Sequence, residues 1–576
     1  MVLTYNLLPC IHVSCAAFGP HPYSSTRPLD LSKPFISLKL RPCDFLDNAP
    51  QVGAVTVLTS RSLSTTPRIL DPHRKEPHKN KEKINYNPEI FFDEFPDPEY
   101  VSYTRVTANE LERSTTRPTR VKMLVRDFIE DSLYNPHYGY FPKQATIFTS
   151  AAEDPIEFNS IQDSAHFQDE VAKKYAAYGF DEQGGPGRQI WHTPTELFKP
   201  YYGQAIAQCI VSEYLLKYFP YEDLVIYEIG AGNGTLALDI LDYILEEYPE
   251  VYERTKYNIV EISGRLAKVQ KEKLSPIHPC VNVTHKSIFH WNKREPSPCF
   301  FIAMEVIRPF QDNFAHDMIR YDYRTLEPYQ ALITIDGTGD FGMYYTRVTD
   351  PLISSFLALR RRLGHPPPLP SLLKSRTMRS FYTNLPFAPN LSTPEYIPTR
   401  MLSLLRTLRT HFPRHRLLLS DFSSLPDTIP GMNAPVVQTR YKNTTIPCST
   451  LFVRQGYFDI FFPTRFERLR DMYEHVLAQP LTPADLTPAD TRLSPLATSA
   501  SSLSAGAGFF SSYQPRNRRP PVDGVASSSG LPVGERKSSV FTHAEFLETY
   551  ADLSKTKLRN GENPMLDFYK NVKFLF

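Results

Sequence analysis

The feature that most constrains the fold is a glycine-rich turn between a predicted strand and a predicted helix. Residues 224–229 form a short apolar run typical of a buried parallel strand, and apolar residues recur at helical spacing over residues 237–248. Between them, Gly230, Gly232 and Gly234 allow a tight backbone turn and leave space for a ligand to approach. This unit predicts an open α/β sheet with a ligand at the turn.

The spacing of the glycines discriminates between classes of ligand. The motif is Glu228-Ile-Gly-Ala-Gly-Asn-Gly-Thr235, so its pattern is G-x-G-x-G and not the G-x-G-x-x-G of dinucleotide-binding proteins. The chain contains no G-x-x-x-x-G-K-[ST] loop, which disfavours a nucleotide triphosphatase. It also contains no G-x-S-x-G elbow, which disfavours a hydrolase of that type.

Two acidic residues indicate the chemistry of the ligand. Glu228 lies two residues before the first glycine, where a carboxylate attracts an ammonium group and repels a pyrophosphate. Glu261 ends the next predicted strand, where a carboxylate can accept hydrogen bonds from a ribose diol. S-adenosyl-L-methionine carries both an ammonium group and a ribose diol. We therefore predict that it is the cofactor, bound by Glu228, Glu261 and the three glycines. A nicotinamide-dependent oxidoreductase would also place an acid at Glu261, and a tight turn without a ligand is the structural alternative.

Strands alternate with helices along the central part of the chain, which predicts a mostly parallel, Rossmann-like α/β sheet. The predicted strands are residues 224–229, 257–262, 299–303, 331–335 and 417–420. The predicted helices are residues 121–133, 204–218, 237–248 and 264–273. Residues 143–188 are expected to be irregular.

Composition changes on both sides of this region. The stretch 59–68 combines Arg, Ser and Thr without acids, as mitochondrial transit peptides do; an N-terminus disordered for another reason is the alternative. Near the other end, a Ser-, Ala- and Pro-rich segment has no means of burying a core. We therefore divide the chain into a transit peptide and disordered N-terminus (1–82), a linker (83–117), an α/β domain (118–479), a disordered insert (480–539) and a C-terminal element that docks on the domain (540–576).

Charge, cysteine spacing and hydropathy argue against nucleic-acid binding, a structural metal site and membrane insertion. The formal net charge of +2 gives no electrostatic basis for binding nucleic acid. The seven cysteines include no C-x-x-C pair, which argues against a structural zinc site, and we predict no metal. No apolar run reaches about 18 residues, so we predict no membrane insertion.

Four stretches together resemble the MidA-like family, the mitochondrial complex I assembly-factor protein arginine methyltransferases. The likeness covers about residues 118–470 and rests most specifically on the Pro-x-Tyr-Gly-Tyr ending of the first stretch and on the Thr-Pro-x-Glu start of the second. The stretches are Asp127 to Tyr140, Thr193 to Gly203, Glu228 to Leu236 and Tyr257 to Ser263.

The resemblance implies a fold and an activity. The fold is a Rossmann-like class I methyltransferase sheet with a helical N-terminal cover. The activity is methylation, with S-adenosyl-L-methionine, of an arginine in a complex I subunit within the mitochondrial matrix, in support of complex I assembly.

The resemblance also implies a substrate-side motif, N-E-x-x-D, after a strand of the sheet. Glu305 matches its glutamate, whereas Met304 replaces its asparagine. If residues 308–311 are an insertion, Asp312 matches the aspartate. A carboxylate can hold a planar guanidinium bidentately and offset its charge beside a cationic cofactor. We therefore predict that Glu305 contacts the substrate guanidinium and that Asp312 is a supporting acceptor or base; the alternative is that both cap a strand–helix junction.

Thr193 and Glu196 are further candidates for the cofactor pocket, because the resemblance places their segment over it. The alternative is structural, with Thr193 as the N-cap of the following helix, Pro194 at its first position and Glu196 at its third. Asp421 ends a predicted strand and is a weaker candidate for the site, and the acidic residues 336–340 are expected to form a turn and not a metal site.

A second functional hypothesis is a non-enzymatic assembly factor. Met304 and the insertion before Asp312 favour it, because they change the substrate-side motif. Such a protein would keep the methyltransferase fold and bind a partner without methyl transfer.

Overall fold

The computed structural model describes residues 102–143, 145–147, 156–177, 189–191, 193–304, 314–386, 388–441, 444–478 and 538–576. The predicted transit peptide, residues 83–101 of the predicted linker and residues 480–537 of the predicted insert lie outside these ranges.

The elements alternate between strands and helices through the centre of the chain. The strands are β1 (Thr104–Arg105), β2 (Val121–Leu124), β3 (Ala145–Ile147), β4 (Gln189–Trp191), β5 (Leu224–Ile229), β6 (Thr255–Glu261), β7 (Val281–His285), β8 (Cys299–Ala303), β9 (Asp317–Tyr321), β10 (Pro328–Ile335), β11 (Phe341–Arg347), β12 (Glu395–Ile397), β13 (His415–Phe422), β14 (Val436–Tyr441), β15 (Thr444–Cys448), β16 (Asp459–Phe461), β17 (Val540–Thr542) and β18 (Val572–Leu575). The helices are α1 (Ala108–Leu111), α2 (Val125–Tyr134), α3 (Tyr140–Lys143), α4 (Ser164–Ala177), α5 (Pro194–Leu197), α6 (Tyr201–Lys217), α7 (Thr235–Glu247), α8 (Pro249–Tyr252), α9 (Gly264–Leu274), α10 (Pro351–Arg362), α11 (Arg376–Tyr382), α12 (Thr399–His411), α13 (Phe466–Ala478), α14 (His543–Tyr550) and α15 (Pro564–Asp567).

A seven-stranded sheet in the order β7-β6-β5-β8-β13-β18-β17 is the centre of the fold. The first five strands of this order are parallel, and β18 runs antiparallel to both of its neighbours. Numbered by chain position, the order is 3-2-1-4-5-7-6. The dinucleotide-binding order is 3-2-1-4-5-6, so an antiparallel final strand inserted beside the fifth strand distinguishes this sheet.

The centre of the sheet is buried on both faces, which explains the near-continuous apolar sequences of β5 and β8. All six residues of β5 are buried. Leu224 and Ile226 belong to one hydrophobic cluster, whereas Val225, Tyr227 and Ile229 belong to another. Because successive side chains of a strand point to opposite faces, β5 contributes to a core on each side of the sheet.

The C-terminal element supplies two strands to this sheet. Phe574 of β18 is fully buried and stacks on Phe546 of α14, with ring centroids 3.9 Å apart. The sequence predicted only that this element docks on the domain, because strand pairing between residues so far apart leaves no local signal.

A second sheet, in the order β1-β2-β10-β9-β12 with β11 paired to β10, corrects two predictions. Residues 331–335 form a strand as predicted, but it pairs antiparallel with its neighbours in this second sheet and is not part of the parallel one. Residues 121–124 form a strand and not the first turn of a helix, because they pair with β10, and the helix begins at Val125. A third prediction is also wrong, since the region expected to be irregular contains helix α4.

Candidate cofactor and active site

The glycine-rich turn lies at the carboxyl end of β5, where the strand order changes direction. β5 pairs with β6 on one side and with β8 on the other, and open α/β sheets bind ligands at such a point. Gly230, Gly232 and Gly234 have φ angles of 71°, 62° and 74°, which residues with a Cβ rarely adopt. A Cβ on Gly234 would also lie 2.9 Å from Cδ1 of Leu274 in α9. The turn is therefore a backbone cradle that depends on its glycines.

Glu228 is buried directly before this turn. The hydroxyl of Tyr257, on the adjacent strand β6, donates a hydrogen bond of 2.8 Å to Glu228 Oε2. Burial raises the pKa of Glu228 to about 7, against the opposing effect of this hydrogen bond. A cationic group beside the carboxylate would stabilise its ionised form.

Glu261 is held at the carboxyl end of β6 by two donors. The backbone N–H of Ser263 donates to Oε1 (2.9 Å), and Nε2 of Gln270 donates to Oε2 (3.0 Å). The same Gln270 nitrogen donates to the carbonyl oxygen of Gly232 (2.8 Å). One amide group on α9 thus connects the glycine-rich turn to the second acid of the site.

Neither Gln270 nor Tyr257 was predicted as a site residue, although the sequence carries a signal for Gln270. The buried residues of α9 are Ala267, Gln270 and Leu274, at helical spacing. A glutamine on an otherwise apolar helix face has to find buried hydrogen-bond partners. Tyr257 carries no comparable signal, since tyrosine is common in strands.

Thr193 and Glu196 lie beside the helix that follows the turn. The Thr193 hydroxyl oxygen accepts a hydrogen bond from the N–H of Glu196 (3.2 Å), and Pro194 begins α5, so the predicted cap is present. The Glu196 carboxylate accepts a hydrogen bond of 2.7 Å from the hydroxyl of Thr235, the first residue of α7. Their direct contact with a ligand stays a prediction, and the observed contacts position the turn.

Two further charged residues were also missed, one that contacts the turn and one in the helix that follows it. Lys273 Nζ lies 3.2 Å from the carbonyl oxygen of Asn233 within the turn, and 3.4 Å from the Thr235 hydroxyl. Asp239 is buried one turn into α7, where burial, reinforced by the charge of Glu196, raises its pKa to about 8.

The predicted substrate-side residues Glu305 and Asp312 lie outside the described residues. The residues on either side are described: Met304 follows β8 and is buried, and Phe314 is buried before β9. Glu305 therefore comes two residues after the end of β8, a strand that neighbours β5.

Asp421 lies in β13, at the same edge of the sheet. Its Oδ2 accepts a hydrogen bond from the Thr464 hydroxyl, and its Oδ1 accepts one from the N–H of Phe422. Burial raises the pKa of Asp421 to about 7. Residues 336–340 form the predicted turn, in which Asp336 Oδ1 accepts hydrogen bonds from two backbone N–H groups.

The described residues fit S-adenosyl-L-methionine. The left-handed glycines leave room for close approach of a ligand to the backbone. Glu228 presents a buried carboxylate for the ammonium group, where the charge of the ligand would offset the cost of burial. Glu261 is a carboxylate at the carboxyl end of β6, and carboxylate oxygens are the acceptors that ribose hydroxyls require.

Comparison with known proteins supports the same cofactor. Residues 205–483 match the model of a family described as S-adenosyl-L-methionine-dependent methyltransferases. The chain is 29% identical over 330 residues to a protein of Schizosaccharomyces pombe (strain 972 / ATCC 24843) named "Protein arginine methyltransferase NDUFAF7 homolog, mitochondrial". This alignment covers 55% of this chain and 67% of that protein.

Two solved structures of COG1565 superfamily members from Burkholderia thailandensis are also similar. One, bound to S-adenosyl-homocysteine, aligns with a TM-score of 0.38 at 15% identity and covers 64% of this chain and 80% of that one. The other aligns with a TM-score of 0.37 at 14% identity, over 62% of this chain and 71% of that one. The family model and the relative in S. pombe support a MidA-like family of S-adenosyl-L-methionine-dependent methyltransferases for this chain, and its mixed α/β fold with a parallel sheet is that of a Rossmann-like methyltransferase.

Proposed function

We propose that this chain is a mitochondrial protein arginine N-methyltransferase that acts on a complex I subunit and thereby supports complex I assembly. The observation that carries the choice of arginine is the relation to the S. pombe protein, whose name specifies arginine methylation and mitochondria. Complex I as the substrate, and the matrix as the compartment, follow from the resemblance of the four sequence stretches. The acid-poor stretch 59–68 supports the same compartment.

In this proposal, different residues at the edge of the sheet bind different parts of the cofactor. When bound, the cofactor supplies an electrophilic methyl group on a sulfonium. Glu228 and the three glycines hold its amino-acid part, and Glu261 holds the ribose. These contacts fix where the methyl group lies, so the remaining task of the chain is to position the acceptor nitrogen in line with it.

The acceptor arginine has to be activated, because a guanidinium has a pKa above about 12 and its nitrogens are poor nucleophiles while protonated. A carboxylate pair that binds the guanidinium offsets its charge and orients one nitrogen. Glu305 takes this role in the proposal, and Asp312 accepts a hydrogen bond or the proton.

The test is methyl transfer from radiolabelled S-adenosyl-L-methionine to purified complex I subunits, with methylarginine identified after hydrolysis. We expect label on arginine with the natural sequence, and loss of at least about a hundredfold in rate for Glu305→Gln, as expected for removal of a group that stabilises transition-state charge. Glu327→Gln, an exposed acid in another turn, is the matched control. Label on a residue other than arginine would contradict the proposal.

The second candidate is a partner-binding assembly factor without transfer. One observation favours it: Met304, which replaces the motif's asparagine, is buried after β8 and offers no amide to a substrate. This candidate predicts cofactor binding by calorimetry without formation of S-adenosylhomocysteine. Product formation on any complex I subunit would exclude it.

A further inference from the structure

A cavity lies among α10, α12 and α13, lined by none of the residues of the glycine-rich turn. Its volume is about 80 Å³. Sites for whole small molecules measure roughly 300–1,000 Å³, so this space suits a single aliphatic side chain. Its walls are mainly apolar, and they include Phe314, Phe356, Leu359, Met401, Leu469 and Met472. We call it the α13 cavity.

Two arginines line the α13 cavity without a carboxylate partner in the described ranges. Arg465 precedes α13 and Arg468 lies in its first turn, and both are half-buried. Burial and the charge of Arg465 lower the pKa of Arg468, and Glu395 opposes them, so the two guanidiniums repel each other. The other charged groups nearby are paired, as Arg360 with Glu395 and His365 with Asp471. The cavity therefore has an excess of positive charge.

Asn433 contributes a third recognition group. Its side-chain oxygen is buried and accepts no hydrogen bond within the described part of the chain, whereas its side-chain nitrogen donates to the Tyr396 carbonyl oxygen (3.3 Å). Its φ of 58° is uncommon for a residue other than glycine. A buried acceptor without a donor is costly, so an N–H group of a bound partner would stabilise this position.

We propose that the α13 cavity is a docking site for the polypeptide substrate, at an aliphatic residue next to an aspartate or glutamate. The aliphatic side chain fills the cavity, a backbone N–H donates to Asn433, and the carboxylate binds Arg465 and Arg468. An extended peptide carries these three groups together. A fatty acid has no N–H donor, and a phosphate has no apolar part.

The position of the cavity suits this role, which rests on the proposed function. Phe314, one of its walls, is the first residue described after the segment that carries Glu305 and Asp312. Thr464, another lining residue, donates to Asp421 in β13. The cavity thus adjoins the edge of the sheet at which the acceptor arginine is expected, and the docking motif would lie close to that arginine in the substrate sequence.

Selection from a phage-displayed random dodecapeptide library on the immobilised full-length protein, saturated with S-adenosyl-L-methionine, tests the proposal. We expect enrichment of an aliphatic residue adjacent to Asp or Glu. The consensus peptide, fluorescently labelled, should bind Arg468→Glu about tenfold or more weakly, since a charge-assisted hydrogen bond is replaced by repulsion. Asn433→Gly, which keeps the left-handed backbone and removes the oxygen, should bind it several-fold more weakly. Arg361→Glu, an exposed arginine at the end of α10, should bind it like the natural protein.

The outcomes separate this inference from the proposed function. Enrichment without acidic residues, or unchanged binding by Arg468→Glu, overturns the docking site. Consensus peptides that bind but, with an arginine included, are never methylated support the docking site and count against arginine transfer. Methylation of a complex I subunit that is unaffected by Arg468→Glu supports the function and overturns the docking site. A change of oligomeric state in Arg468→Glu alone would assign the cavity to a second copy of the chain and also overturn the proposal.

Discussion

At the scale of single residues, the cofactor site depends on backbone conformation and on one buried charge. The three left-handed glycines shape the cradle, and Glu228 places a carboxylate beneath it. Neither property can be supplied by a neighbouring residue, because each depends on a particular position in the strand–turn–helix unit. Substitutions at these positions should therefore affect binding directly.

Gly232→Val should abolish measurable cofactor binding. A left-handed conformation costs a residue with a Cβ roughly 1–2 kcal/mol, and a β-branched side chain also fills the ligand approach. Isothermal titration of S-adenosyl-L-methionine measures the loss. Gly339→Ala provides a control, because Gly339 also has a left-handed φ of 91° but has open space around it and lies in a distant turn. Natural affinity in Gly232→Val would remove the turn from the site.

The affinity for the cofactor should fall as the pH drops below about 7. Glu228 has a pKa raised by burial from 4.5 to about 7, and the ammonium group of the ligand favours its ionised form. Protonation of the free protein therefore competes with binding, by up to about tenfold per pH unit. The dissociation constant should rise between pH 7 and pH 6, below the range of about 7.7–8.0 where an α-amino group titrates.

Glu228→Gln should bind more weakly and lose this pH dependence, whereas Glu327→Gln should keep it. An identical pH profile in Glu228→Gln would mean that another group titrates. In the free protein the same shift has the opposite consequence for the fold. A buried carboxyl with a raised pKa makes the folded state less stable as the pH rises from 4.5 towards 7.

At the scale of elements, α9 connects the glycine-rich turn with Glu261. Gln270 donates from the buried face of this helix to both the turn and Glu261. Lys273, on the same helix, contacts the turn at Asn233. The position of α9 therefore determines how far the amino-acid part of the cofactor lies from its ribose.

Gln270→Leu should weaken cofactor binding several-fold while the protein remains folded. The substitution leaves the Gly232 carbonyl and one Glu261 oxygen without this donor, and a buried acceptor without a donor costs about 1–3 kcal/mol. Calorimetry and thermal unfolding together measure the two effects. Val269→Leu, on the exposed face of the same helix, is the control. Equal affinity in both variants would show that α9 does not couple the glycine-rich turn to Glu261.

Elements with strong local patterns were predictable from the sequence. Strands 224–229 and 299–303 match β5 and β8, because a short apolar run between polar segments specifies a buried parallel strand. Residues 121–124 were not predictable, since their apolar spacing also fits a helix and their strand pairing depends on the distant β10. Local patterns give the type of element, but pairing partners come from tertiary structure.

The same limit applies to the site. Glu228, Glu261 and the glycines could be chosen because their chemistry follows from their place in the motif. Gln270 carries only a local signal, its place on the apolar face of α9, and the arginines of the α13 cavity carry none, because the partners of all three depend on which elements the fold brings together. For Glu305 and Asp312, the assignment rests on the family motif alone.

At the scale of the whole molecule, the fold is completed by its C-terminal element. Strand β18 lies between β13 and β17, inside the main sheet, although a long stretch of chain separates it from β13. The edge of the sheet is therefore covered by residues that are distant in sequence from the cofactor motif.

Phe574→Ala should destabilise the whole domain by about 3–5 kcal/mol, the usual cost of removing a buried aromatic side chain. Phe574 is fully buried and packs on Phe546 in the same cluster as the cofactor-side helices α6 and α7. Urea unfolding followed by circular dichroism measures the change. Phe381→Ala, which removes a side chain that is 63% exposed, should leave the midpoint nearly unchanged. A shift confined to a minor early transition would mean that the C-terminal strands unfold independently.

The interior position of β18 also affects the order in which the protein can be assembled. Of the seven strands in the main sheet, β18 is the last to be synthesised. Until it arrives, β13 has an open edge with unpaired backbone groups, which is a template for aggregation. We therefore expect the nascent chain to be prone to aggregation at this stage, and loss of even the last few strand residues to leave the protein there.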